Sequence, residues 1–222
     1  MQDFFALRQN MVDNQIRPSD VTDGALIKAF LTVPREKFVS EADRSFAYSD
    51  RDMCISSTAG RERWMMSPVP LAKLINALDL APDAHVLVVG CGTGFSAALL
   101  SLIVGSVTAL EEEPILADAA QRNMSEAGLR NVTVVRGGLA QGWADQAPYD
   151  AVLIDGAVET IPDRVMEQLK PGGTLASVER QDRVSRAVIC ERVGSETTKL
   201  AVFDAGINGV LPGFEKAAEF VF

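Results

Sequence analysis

Residues 86–95 read VLVVGCGTGF, and this stretch decides the fold. The valine-rich run Val86-Leu87-Val88-Val89 passes directly into Gly90-Cys91-Gly92-Thr93-Gly94. An apolar helical pattern, Phe95-Ser96-Ala97-Ala98-Leu99-Leu100, follows at once. A strand, a glycine turn and a helix start, in that order, mark the nucleotide corner of a Rossmann-like sheet. Glycine is needed there because a side chain would block the chain reversal and hold a ligand off the backbone amides. The helix that opens next presents unpaired N–H groups at its N-terminus. The stretch therefore predicts both the class of fold and the place of a ligand.

The pattern outward from it alternates. Strand 86–90 precedes helix 94–103, and strand 106–110 precedes helix 114–127, with Pro114 suited to the first turn and Gly128 to the C-terminal cap. Strand 132–136 leads to Gly137-Gly138-Leu139. Strand 150–154 leads to Asp155-Gly156-Ala157, and a helix around 162–169 ends at Lys170-Pro171-Gly172-Gly173. This alternation predicts an α/β fold with a doubly wound, mostly parallel sheet. From Thr174 onward, β-rich segments at 174–179, 185–192 and 199–204 have no helices between them and are expected to finish the sheet antiparallel.

Toward the N-terminus, residues 1–47 read as helical, around Leu7, Val12 and Ile16 and then Leu26, Ile27, Phe30 and Leu31, with a break at Pro34. Residues 48–67 read as a polar, irregular stretch longer than an ordinary connection, and long loops are often functional. Pro68 and Pro70 open a helix through Leu71, Leu74, Ile75 and Leu78. The expected organisation is one compact unit, with residues 1–70 a helical cap and substrate-side loop and residues 71–222 the Rossmann-like domain.

Composition narrows the function classes. A chain of 222 residues with 47% hydrophobic content can bury a sizeable core. Its net charge is −9 and its Lys and Arg residues are scattered, which argues against a nucleic-acid partner. Three widely spaced cysteines, Cys54, Cys91 and Cys190, suggest reduced thiols. With one histidine and no CxxC pair, no Cys/His metal site is expected. The N-terminus lacks the pattern of a signal peptide. The longest apolar stretch, near 97–104, is too short to span a bilayer. A cytoplasmic protein without a membrane partner is the expectation. The oligomeric state is open.

In sheets of this kind ligands bind beyond the carboxyl ends of the strands. That edge carries the glycine loop, Glu111, Gly138 and Asp155. Glu111 lies about twenty positions beyond the first glycine, where a carboxylate accepts ribose hydroxyls; the alternative is a solvated acidic turn, Glu111-Glu112-Glu113, before a helix. A dinucleotide fingerprint needs its third glycine three positions after the second. Phe95 stands there, so the loop resembles that of class I S-adenosylmethionine-dependent methyltransferases instead.

A resemblance spanning nearly the whole chain narrows this further. MVDNQIRPSDVTDGALIKAFLTVPREKFV at 11–39, FAYSDRDMCI at 46–55, VLVVGCGTGF, APYDAVLIDGAVETIP at 147–162 and QLKPGGTL at 168–175 resemble protein-L-isoaspartate O-methyltransferases in order and spacing. That family moves a methyl group from S-adenosyl-L-methionine to isoaspartyl carboxylates of damaged proteins. The resemblance implies a cofactor site at Gly90, Cys91, Gly92 and Glu111, to which Val89, Glu112, Gly138 and Leu139 are added as neighbours.

The pattern departs from the family at three places. A family serine at the methyl-transfer site aligns with Met66, with Ser67 adjacent and Trp64 in place of a threonine. The family's Gly-Asp-Gly after the third strand is Gly137-Gly138-Leu139. A small or hydroxyl residue is usual where Asp155 stands. Asp155, Ser67 and Met66 are accordingly the candidate catalytic positions, Asp155 orienting the acceptor, acting as a base, or only capping the next segment. Trp64-Met65-Met66 forms either a substrate wall or plain packing. Arg61 and Arg63 either hold an acceptor carboxylate or, as loop arginines more often do, face solvent. The expected function is methyl transfer of the isoaspartate type with the acceptor possibly changed; the alternative is a non-catalytic relative that binds cofactor or a protein.

Overall fold

Side-chain caps start the first helices. In the computed structural model, which describes residues 2–58, 60–182, 184–194 and 196–216, the Asp3 carboxylate accepts the Ala6 amide at 3.1 Å and opens α1 (Phe4–Met11). Asp23 does the same for Leu26 at 2.6 Å and opens α2 (Gly24–Thr32). Short π and 3-10 turns, rather than long helices, fill most of the rest of the first 47 residues.

The stretch read as an irregular loop is instead a hairpin. β1 (Met53–Thr58) pairs antiparallel with β2 (Arg61–Met65) as a separate two-stranded sheet. Its strands bury only Met53, Arg63 and Met65 among mostly polar side chains, so no alternation of apolar residues announces them.

The main chain path then matches the predicted alternation: α3 (Pro68–Ala77), β3 (His85–Val89), α4 (Phe95–Ser101), β4 (Ser106–Glu111), α5 (Pro114–Glu126), β5 (Val132–Arg136), β6 (Tyr149–Val158), α6 (Asp163–Met166), β7 (Leu169–Gln181), β8 (Val184–Val193) and β9 (Glu196–Asp204). The seven-stranded sheet has the order β5-β4-β3-β6-β7-β8-β9. β5 through β7 run parallel, and β8 and β9 are added antiparallel. The order reverses between β3 and β6, and the crevice at their carboxyl ends is the topological switch point where such sheets take ligands. The helix expected at 162–169 is a single turn, because the chain enters β7 at Leu169, which is buried and pairs with Tyr149.

Two apolar clusters cover the two faces of the sheet. The first joins Met11, Ile16, Phe30 and Phe38 to α3, α4 and α5. Its pivot is Phe95, whose ring meets Phe30 and Phe38 edge-on at centroid distances of 6.1 and 5.4 Å, with the Arg35 guanidinium 4.7 Å above it. The second contains Phe214, fully buried from a C-terminal strap, residues 205–216, that folds back from β9. The strap's Val210 bridges Ala157, the Leu211 amide donates to the Ala157 carbonyl at 2.8 Å, and the Phe214 carbonyl accepts from Glu159 and Thr160. No helix among the described residues is long and apolar enough to cross a membrane.

Truncating Phe95 removes the ring that ties the N-terminal helices to the sheet. Phe95→Ala is expected to cost about 3–5 kcal/mol, measured by urea unfolding. Cap and sheet should melt in one shared transition, because their side chains lie in one core cluster; two separate transitions would contradict that coupling.

Candidate functional site

The glycine loop closes back onto the neighbouring strand. Gly90, Gly92 and Gly94 take φ of +75°, +56° and +95°, which side chains disfavour. The amides of Gly90 and Cys91 both donate to the Leu110 carbonyl, at 2.9 and 3.1 Å, and so tie the loop to the end of β4. The next residue of β4 is Glu111, whose side chain is fully buried.

A buried carboxylate is tolerated only when it is well supplied with donors. The Glu111 Oε2 accepts the Gly92 amide at 2.8 Å, and Oε1 accepts the amides of Glu112 and Glu113 at 3.0 and 3.1 Å. Arg63 completes the set from β2: its Nη1 reaches Oε1 at 2.6 Å and its Nη2 reaches Oε2 at 2.8 Å, a forked pair. Arg63 is only 5% exposed, so the reading of it as a solvated loop arginine is corrected; Arg61, two residues earlier, is exposed.

The space above the glycines is occupied by side chains from outside the sheet. A Cβ on Gly92 would stand 2.5 Å from Ile55 Cδ1 of β1. One on Gly90 or Gly156 would stand 3.0 or 2.7 Å from the Leu211 side chain of the strap. The fixed parts of the crevice fit a nucleoside: a carboxylate with two acceptor oxygens at the strand end, beside a turn without side chains. The parts that fill it, Arg63, Ile55 and Leu211, belong to the hairpin and the strap. Val89, Gly90, Cys91, Gly92 and Glu111 thus come together at this crevice. Burial pushes the Cys91 thiol well above its ordinary range, which keeps it protonated and unreactive. Glu112 is half-buried, Gly138 opens a 3-10 turn, and Leu139 points into the second apolar cluster.

Asp155 reaches the same crevice through a bulge. Leu153 pairs with Ala176 and Ala157 with Val178, so Ile154-Asp155-Gly156 forms extra length in β6 at its carboxyl end. Asp155 is buried and its Oδ1 has no partner. Burial raises its pKa to about 6, against the opposing pull of Ser96, Arg35 and Arg63. Arg35, fully buried, donates to the Ala47 and Met66 carbonyls at 2.7 Å each and leaves its Nη1 unpaired. Met66 is buried in the first apolar cluster, and the Ser67 amide donates to Asp52 at 2.8 Å. Among the described residues no group of three or more His, Cys, Asp or Glu side chains is placed to hold a metal ion.

A model of the family "Protein-L-isoaspartate(D-aspartate) O-methyltransferase" matches residues 6–199. The chain belongs to this family. A protein-L-isoaspartate O-methyltransferase 1 from Rhodopseudomonas palustris is 33% identical over 220 residues, covering 94% of this chain and 88% of the relative. One from a Roseiflexus species is 38% identical over 173 residues, covering 78% and 77%. A solved protein-L-isoaspartate O-methyltransferase shares the fold at a TM-score of 0.84 with 24% identity, over 94% of this chain and 67% of that one. A Plasmodium falciparum structure, solved in complex with S-adenosyl-L-homocysteine, shares it at 0.72 with 17% identity, over 93% and 97%.

Set against that membership, the residues missed by sequence reasoning are those that reach the crevice from a distance. Ile55 ends the segment 46–55 that resembles the family, which does not reveal that its side chain lies over Gly92, and Leu211 carries no motif. Arg63 is a sequence candidate for an acceptor carboxylate, but nothing beside it in the chain points to its pairing with Glu111. Arg35 was hidden in a run of charged residues.

The raised Asp155 pKa has a consequence for stability. Unfolded, the side chain loses its proton near its ordinary 3.8; folded, it holds it to about 6. Between those values the native state binds more protons, so stability falls as pH rises and stays lower above. Asp155→Asn should remove this penalty, about 3 kcal/mol, raising the melting temperature at pH 8 and leaving it nearly unchanged at pH 4. Equal shifts at both pH values would contradict the buried, unpaired placement.

Proposed function

We propose that this chain transfers a methyl group from S-adenosyl-L-methionine to the carboxylate of isoaspartyl residues in damaged proteins. Family membership supports the reaction class. The observation that carries it to this site is Glu111, whose carboxylate stands at the switch point with the Gly92 amide bonded across the glycine loop. In this reading Val89, Gly90, Cys91, Gly92, Glu111 and Glu112 hold the cofactor, and Gly138 and Leu139 border its base. Residues 1–70 supply the acceptor-side wall and residues 71–222 the cofactor sheet. The acidic composition and the absence of a disulfide among three free cysteines are in keeping with cytoplasmic acceptors.

The bound cofactor supplies a methyl on a positively charged sulfur, which a carboxylate oxygen takes directly as the carbon–sulfur bonding pair returns to sulfur. An ionised acceptor needs no base, so the chain's part is alignment and exclusion of water. Met66 and Met65, both buried, make the acceptor side apolar. Asp155 and Ser67 flank it. A negative Asp155 repels an acceptor carboxylate, so the proton it holds to about pH 6 favours that acceptor in mildly acid solution.

Protein offered labelled cofactor, isoaspartyl peptide and a mixed pool of other proteins should label the peptide. Label elsewhere would assign a different acceptor, and binding without label would favour the cofactor-binding relative. Glu111→Ala should weaken S-adenosyl-L-homocysteine binding about tenfold or more by calorimetry; unchanged affinity would remove Glu111 from the site.

A further inference from the structure

The Glu111 carboxylate already has all the donors it can take. Two oxygens offer about four acceptor positions, and five N–H groups are arranged on them: two from Arg63 and one each from Gly92, Glu112 and Glu113. Three of these are backbone amides fixed by the loop and the strand end. Only the two from Arg63 can leave. A ribose brings two hydroxyl donors, the same number, so it can take Glu111 only where Arg63 gives it up.

The released guanidinium then favours any new carboxylate, since a buried charge without its partner is strongly unfavourable. Its Nε already lacks a partner, and its Nη2 otherwise meets only the Gly90 carbonyl at 3.4 Å. Arg63 sits three residues before Met66, on the strand that leads into the acceptor side. Side chains rather than the main sheet hold that strand: among the described residues β1 and β2 pair with each other and with no other strand, and such a hairpin is marginal by itself. Arg63 on Glu111, and Ser56 and Thr58 on Glu113, fasten it over the glycine loop together with the buried Met53 and Met65.

We propose that Arg63 exchanges carboxylates: it closes the site by pairing with Glu111 and, once the ribose has taken Glu111, binds the carboxylate of the methyl acceptor. The proposal rests on the methyltransferase reading above and adds to it a specificity residue and an order of binding. The acceptor then has a place only after the cofactor.

Binding without turnover tests this. Wild-type protein, Arg63→Gln and Arg63→Lys would be titrated with S-adenosyl-L-homocysteine, with 5′-methylthioadenosine, which lacks a carboxylate, and with isoaspartyl peptide in the presence and absence of S-adenosyl-L-homocysteine. Wild type should bind peptide only when loaded. Arg63→Gln should bind both nucleosides more tightly, and bind peptide at least about tenfold more weakly when loaded. Arg63→Lys, which keeps the charge but not the fork, should lie between, and its melting curve guards against misfolding. Weaker binding of S-adenosyl-L-homocysteine than of methylthioadenosine in Arg63→Gln would make the cofactor's own carboxylate the partner and overturn the acceptor assignment. Equal weakening of both would make Arg63 a brace for Glu111 and overturn the exchange. Failure of the wild type to bind either nucleoside would count against the methyltransferase reading itself.

Discussion

A carboxylate buried at the end of a parallel strand must be fully supplied with donors, and the site is arranged around meeting that need at Glu111. The Gly92 amide can point at it because the loop takes positive φ at three glycines. The Glu112 and Glu113 amides turn onto it as the chain leaves β4 for α5. Arg63 supplies the countercharge from a hairpin, 48 residues earlier in the chain. Glu111 thereby links the sheet, the glycine loop and the hairpin through one side chain.

The same crevice receives two other long-range contributions. The strap after β9 brings Leu211 against Gly90 and Gly156, where a Cβ would crowd it at 3.0 and 2.7 Å. The bulge in β6 turns Asp155 into a space lined by Arg35, Arg63 and Ser96. Buried polar atoms of Asp155, Arg35, Arg63 and Ser96 are left unpaired there, in a region otherwise packed with apolar side chains. Unpaired buried polar atoms are costly in a finished core, and they are commonly found where a ligand or water completes the set.

Family membership and this geometry bear on different questions. The match over residues 6–199 concerns the reaction class. The geometry concerns which side chains stand at the crevice of this chain. That crevice is an electrostatic matter: the carboxylates of Glu111 and Asp155 and the guanidiniums of Arg35 and Arg63 lie there away from water, where charges interact strongly.

The sequence by itself determined the parallel sheet, the glycine turn and the acidic residue that faces it. Each rests on local periodicity and on backbone conformations open chiefly to glycine, and neighbours in the chain encode both. β3, β4, β5 and α5 stand within a residue or so of their predicted ends for that reason. The hairpin was not legible, because its few buried side chains include an arginine and its exposed ones are polar. The short α6, the bulge at Asp155 and the strap were not legible either. Only the tertiary structure decided that Arg63 lies on Glu111, since a forked ion pair across 48 residues follows from where two elements pack and not from the residues beside either partner.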